Sequence, residues 1–208
     1  MGRRGNWKSL LRGMIVLLAI PAATLTGQEE TWRVTATAAQ TWFSGGLDDT
    51  STTEGHWSLT PKVTWGLTAD RAVGKVRLGL GLSYVSSHVQ VSDAQVTLIE
   101  NTLDVSQIGV AALVTVPLAR LGKAGAAINL SAGPVLGIWS LTDSDSRTRI
   151  GGTATLQLTA PVTPSWHLLA TLGGSLSGSP FNTSEVPDSF EATTLWATAA
   201  GLGMQYAF

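Results

Sequence analysis

From residue 56 to residue 69 the chain alternates without a slip. Trp57, Leu59, Pro61, Val63, Trp65, Leu67 and Ala69 are apolar, while His56, Ser58, Thr60, Lys62, Thr64, Gly66 and Thr68 are polar or glycine. A period of two places one set on each face of an extended strand. The pattern recurs. Val76, Leu78, Leu80, Leu82 and Tyr84 oppose Arg77, Gly79, Gly81 and Ser83, and Leu156, Leu158 and Ala160 oppose Thr153, Thr155, Gln157 and Thr159. Trp166, Leu168, Ala170 and Leu172 oppose His167, Thr171, Gly173 and Ser175, with Leu169 out of place on the polar face. The last segment steps from Trp196 through Thr198, Ala200, Leu202, Met204 and Tyr206 to Phe208. The periodicity predicts eight strands, over residues 31–43, 56–69, 75–86, 105–118, 125–139, 149–161, 166–178 and 193–208. The fourth and fifth carry apolar residues on both faces. Strands of this length exceed the ~5–6 residues common in soluble sheets and suffice for a tilted membrane crossing.

The connections alternate in length. Those near residues 70–74, 119–124 and 162–165 are short, and those near 44–55, 87–104, 141–148 and 179–192 are longer on average. An even number of strands with short turns on the side of the termini and long loops opposite is the asymmetry of bacterial outer-membrane barrels. Trp42, Trp57 and Trp196 are expected near the outer rim, and Trp32, Trp65, Trp166, Tyr206 and Phe208 near the inner one, as two interfacial belts. The reading is therefore an all-β, eight-stranded, up-and-down antiparallel transmembrane barrel. Pro61 and Pro134 fall in mid-strand, where a closed ladder needs an N–H that proline lacks, so each predicts a bulge or break.

Composition adds location. Arg3, Arg4, Lys8 and Arg12 precede an apolar run, Met14 to Ile20, and then Pro21, Ala22 and Ala23. This is the pattern of a secretory signal peptide, expected over residues 1–27, with residues 28–208 forming the barrel. Of 13 basic side chains four lie in that leader, which leaves 9 against 14 acidic ones and a net charge near −5. Such a balance speaks against nucleic acid as a partner. The chain has no cysteine, which excludes thiolate chemistry and disulfide staples.

With the eight alternating segments, the leader and the ending Leu202, Met204, Tyr206, Phe208 in view, the chain resembles the small eight-stranded outer-membrane barrels, the OmpA-, OmpX- and OmpW-like proteins. The resemblance implies residence in the bacterial outer membrane, contact with its lipid and lipopolysaccharide, and a monomeric barrel. It also implies that those four residues are the signal read by the barrel-assembly machinery.

Chemistry is sparse. Arg33, Lys62 and Arg77 share the polar face of three consecutive strands, with no Asp or Glu expected on that face in the membrane band. They are lumen candidates, either for attracting anions or as hydrogen-bonded filling. Glu54, His56 and Ser58 share a face at the outer rim, and an acid–His–Ser set can activate a hydroxyl nucleophile. A lipid-modifying, deacylase-like enzyme is thus one alternative, although the longer motif of such enzymes is absent and the expected parity points His56 and Ser58 inward. A soluble ligand-binding barrel is another, and it would require the apolar face to turn inward. His88 and His167 are expected far from each other and from His56, so no metal site is expected. The loop acids Asp48, Asp49, Asp143, Asp145, Glu185 and Asp188 read as solvation. No catalytic residue and no cofactor is assigned. The expected function is a structural or surface role in the outer membrane, with a narrow porin-like path for small solutes as its extension.

Overall fold

The alternation becomes geometry once every strand finds two neighbours. The computed structural model describes residues 32–49, 56–92, 97–122, 125–141, 146–181 and 190–208; the leader segment lies outside them. Nine extended stretches follow in chain order: β1 (Trp32–Asp49), β2 (His56–Leu59), β3 (Lys62–Val73), β4 (Val76–Ser92), β5 (Thr97–Leu121), β6 (Ala126–Leu141), β7 (Arg147–Pro161), β8 (Trp166–Ser177) and β9 (Phe190–Ala207). All pairings are antiparallel: β1 pairs with β2 and β3, both of these pair with β4, the later strands pair in chain order, and β1 also pairs with β9, from Arg33↔Ala207 to Asp49↔Phe190. Trp32 and Phe208 exchange backbone N–H···O bonds of 3.1 and 3.0 Å, which completes the seam. Because β2 and β3 occupy one place between β1 and β4, the wall has eight positions and no edge.

The stagger of that wall follows from the register. Stepping between paired residues from Trp32 leads through Arg71, Leu78, Val114, Ala132, Ala154, Gly174 and Thr198 back to β1 at Trp42, ten residues further along. Closure with such a shear tilts the strands, and an eight-stranded ring of this kind leaves an interior that side chains can fill.

The apolar set faces outward. Leu202 is 70% exposed, Leu80 66% and Trp65 61%, whereas Thr35, Thr41, Ser131 and Gln205 are buried on the inner face. A soluble barrel with an apolar interior is thereby excluded, since each Leu left in water forgoes about 1.5–3 kcal/mol of burial that lipid supplies. Trp32, Trp166, Tyr206 and Phe208 gather at the end where β1 starts and β9 finishes, with ring centroids 4.9 Å apart for Trp166–Tyr206 and 5.8 Å for Tyr206–Phe208. Arg71 lies 5.8 Å over the Trp32 ring. Trp65 departs from its expected place. It pairs with Ala38 and Tyr84, nearer along β1 to Trp42 than to Trp32, so it belongs with the far belt.

The expected strand limits also shift. The backbone ladder runs beyond the membrane band to Ser92 on β4 and back to Thr97 on β5, past a register shift at His88/Val89. At the terminal end β3 continues to Val73, and a two-residue turn, Gly74–Lys75, starts β4. Gly74 has φ +62°, a value that L side chains adopt reluctantly and that tight hairpins need.

Both mid-strand prolines interrupt pairing. Thr60 and Pro61 separate β2 from β3, and side chains restore what the ladder loses. Thr60 N–H donates to His88 O at 2.9 Å, His88 N–H to Thr60 Oγ1 at 3.2 Å, and Ser87 Oγ to Thr60 O at 2.6 Å. Pro134 keeps its place opposite Gly152 on β7. On its β5 side pairing passes from Ala111↔Val135 to Val114↔Ala132 with no partner between them. A gap without a bulge suffices there.

Candidate functional site

Inward-facing residues form three zones along the axis. At the terminal end, Arg33, Asp70 and Arg77 come together on β1, β3 and β4. Arg33 Nε donates to Asp70 Oδ1 at 3.1 Å, and Arg77 Nε donates to the same oxygen. The three side chains are only 14%, 8% and 16% exposed. The expectation that no acid shares this face is therefore wrong. Asp70 was assigned to a turn, yet it continues the even-numbered face of Lys62, Thr64, Gly66 and Thr68, because β3 runs four residues longer than its alternation of apolar positions. Parity alone could have found it. Asn129, Thr159 and Gln205 are likewise buried.

Lys62 stands higher on the same face, paired through its backbone with Thr41. Of the three lumen candidates, the structure brings Arg33 and Arg77 together and leaves Lys62 apart from them.

The middle zone is hollow. A chamber of about 230 Å³ is lined by a mixture of small, polar and apolar residues, among them Thr37, Thr68, Gln107, Thr155, Phe43 and Leu113, and no charged residue among the described ones lines it. Small residues at inward positions leave this space because Gly66, Gly81 and Gly173 contribute no side chain.

The far zone is apolar; its residues lie on the polar-parity face except Leu59, which the alternation of residues 56–69 puts on the outward face and which is buried beyond the break at Thr60 and Pro61. Leu59, Val89, Val105, Trp139 and Leu195 form a buried core, and Phe43, Leu141 and Phe181 pack against it. Trp139 is 1% exposed. The residues come from β1, β2, β4, β5, β6 and β9, with Phe181 from the segment after β8. The two-sided apolar character of the fourth and fifth predicted strands was the sequence signal for this dome. Gly178–Phe181 lies across it: Arg147 Nη1 donates to Pro180 O and Arg149 Nε to Ser179 O, both at 2.7 Å, and Ser179 Oγ donates to Gly46 O at 2.7 Å. Gly46, at φ +96°, turns β1 where its pairing with β9 shifts register. Neither arginine carried a sequence signal for this role.

His56 and Ser58 lie on β2 by their backbone, but Glu54 and the side chains of His56 and Ser58 fall outside the described residues. His88 is nearer to His56 than expected, since β2 pairs with β4 from His56↔Ser92 to Leu59↔Val89; His167 begins β8 at the opposite end. His88 Nδ1 stands 2.6 Å from Asp104 Oδ1, close enough for an ion pair but misaligned for a hydrogen bond. Among the described residues no three His, Cys, Asp or Glu side chains cluster as metal ligands.

Comparison with known proteins identifies the architecture. No family model matches the sequence, and no curated protein matches it. Solved structures do. The fold is similar to Neisserial surface protein A, with a TM-score of 0.59 and 14% identity over 85% of this chain and 97% of that one. It is also similar to the outer membrane protein OprG from Pseudomonas aeruginosa, at 0.57 and 11% over 88% and 98%. A third is the outer membrane protein AlkL, at 0.54 and 10% over 90% and 94%. The chain has the fold of the small eight-stranded outer-membrane β-barrels.

Removing Asp70 takes from Arg33 and Arg77 the one carboxylate oxygen that both bond. Asp70→Ala is expected to lower unfolding stability in lipid vesicles by on the order of 3 kcal/mol, read by tryptophan fluorescence against urea. The triple change Arg33→Met, Asp70→Leu, Arg77→Met restores most of it, because apolar side chains of similar volume replace the buried ion cluster. Equal stability of Asp70→Ala and the native chain would contradict the pairing.

Proposed function

We propose that this outer-membrane barrel is a structural and surface-exposed element of the envelope whose lumen is shut to solutes. The observation that carries the reading is the filling of both ends of the lumen, by the Arg33–Asp70–Arg77 triad at one and by the Trp139 dome at the other. A solute would have to part an ion cluster and an apolar core in succession. A conducting reading has one observation in its favour: Arg33, Lys62 and Arg77 face inward, with Asp70 the one inward acid among the described residues, so a path once opened would favour anions.

In the same reading residues 1–27 are an export leader, the termini lie on the periplasmic side, and the barrel acts as a monomer in lipid and lipopolysaccharide. Leu202, Met204, Tyr206 and Phe208 are the assembly signal. Their support is the outward placement of all four side chains along the closing strand and at its end. The structural role is not enzymatic.

Planar-bilayer recording tests the closed lumen. The purified native chain is expected to give no steady single-channel steps, and a stable, anion-selective conductance would instead establish the conducting reading. Phe208→Ser tests the assembly signal. The fraction of membrane-extracted protein whose gel mobility changes on boiling should fall severalfold in cells, while refolding from denaturant into detergent stays efficient. An unchanged cellular fraction would remove Phe208 from the signal.

A further inference from the structure

One cation on the outer wall has no counterpart inside the barrel. Arg33 and Arg77 bond Asp70, and Arg147 and Arg149 bond backbone carbonyls. Arg71 does neither. Its backbone pairs with Trp32 on one side and Leu78 on the other, so its side chain shares the outward face of Leu67 and Ala69. Its guanidinium carbon lies 5.8 Å over the Trp32 ring, which is itself exposed. Among the described residues no carboxylate lies within ion-pair distance of it. The ring face attracts the cation and fixes its direction, but it supplies no acceptor for the five N–H groups of a guanidinium.

The neighbours of Arg71 set its depth. Trp32, Trp166, Tyr206 and Phe208 mark the terminal belt, and such rings sit at the level of lipid headgroups. Lys75, exposed in the turn between β3 and β4, adds a second charge at the same end. From this belt inward the lipid face is recessed. Ala36, Ala38 and Ala69 form a floor; Met204 and Leu202 stand on one side of it, and Leu80 and Leu82 on the other. Trp65, paired with Ala38 and 61% exposed, closes the far end. From Trp32 to Ala38 the trough follows ~20 Å of strand. At the tilt of a barrel wall that is on the order of 15 Å of depth, the hydrocarbon thickness of one leaflet.

We propose that this trough binds one anionic phospholipid, whose phosphodiester oxygens accept hydrogen bonds from the Arg71 guanidinium beside Lys75 and whose acyl chain lies over Ala36, Ala38 and Ala69. The planar guanidinium can meet two oxygens of one phosphate at once. Charge selects the headgroup. A zwitterionic lipid brings an ammonium group that Arg71 and Lys75 repel, whereas an anionic one brings the counter-charge that the protein does not supply to Arg71. In the orientation proposed above the lipid belongs to the periplasmic leaflet, but the site itself rests only on this wall facing lipid.

The test places the full barrel in phosphatidylcholine nanodiscs, with the same lipid mixture in both leaflets so that orientation does not enter. The ¹⁵N-labelled indole of Trp32 is assigned by its loss in Trp32→Phe. It is expected to shift saturably as phosphatidylglycerol is added and to stay unmoved by phosphatidylethanolamine. Arg71→Gln should weaken the apparent affinity roughly fivefold, the effect of one interfacial charge. Arg120→Gln removes an exposed base on β5, away from the trough, and should leave the affinity as it is. Ala36→Phe, which fills the floor from β1, should weaken binding while the boiling-dependent gel mobility shows an intact barrel. Should that variant fail to fold, water-soluble glycerol phosphate takes its place as the probe of the trough, and without acyl chains it should bind far more weakly than the lipid. The proposal is overturned by the absence of a saturable shift or by an equal response to phosphatidylethanolamine. Equal losses in Arg71→Gln and Arg120→Gln would also overturn it, as a diffuse attraction of the basic rim, and so would an affinity indifferent to filling the trough or to removing the chains.

Discussion

Everything in this molecule depends on the pairing of β1 with β9. In lipid no water is available to satisfy a backbone N–H or C=O, and each orphan group costs several kcal/mol, so only a sheet without edges survives there. The register from Arg33↔Ala207 to Asp49↔Phe190 supplies that closure. The ten-residue stagger around the ring then fixes which side chains meet inside. Arg33 and Asp70 sit together because they are paired directly across β1 and β3, and Arg77 joins them across the β3–β4 hairpin. The outward Leu, Val and Trp residues need no interior partner, since lipid takes the place that a core has in a soluble protein.

Closure also sets the interior problem. Eight strands enclose a narrow tube whose ends must be filled or left wet. The chain answers differently at each end: charge pairing at the terminal one, and at the far one an apolar dome strapped by Gly178–Phe181 through Arg147 and Arg149. Between them glycine and threonine leave space. A lumen filled at both ends is poorly suited to passage. The same small side chains let adjacent strands carry the tilt that the shear demands.

Much of this was legible from alternation alone, because a lipid-facing wall obliges every second residue to be apolar. The eight wall positions, the outward set from Leu78 to Tyr84 and from Leu202 to Phe208, and the interruptions at Pro61 and Pro134 all follow from that rule. What stayed hidden is long-range. Asp70 looked like a turn residue because apolar alternation stops at Ala69, although the hydrogen-bond ladder does not. Apart from Leu59, which the alternation placed outward, the dome residues looked like noise on the polar face, since the far end of β5 and β6 packs on itself as a soluble core would. The pairing of Thr60 with Ser87 and His88 depends on a register that no local pattern encodes.

The account stands or falls on the closing seam, which cross-strand proton contacts in the nuclear magnetic resonance spectrum of the micelle-embedded barrel report directly. It predicts backbone contacts joining Ala36 to Met204 and Thr41 to Ala199, with slowly exchanging amides along both strands. Absence of β1–β9 contacts, or contacts displaced by one residue so that Met204 and Tyr206 point into the lumen, would contradict it.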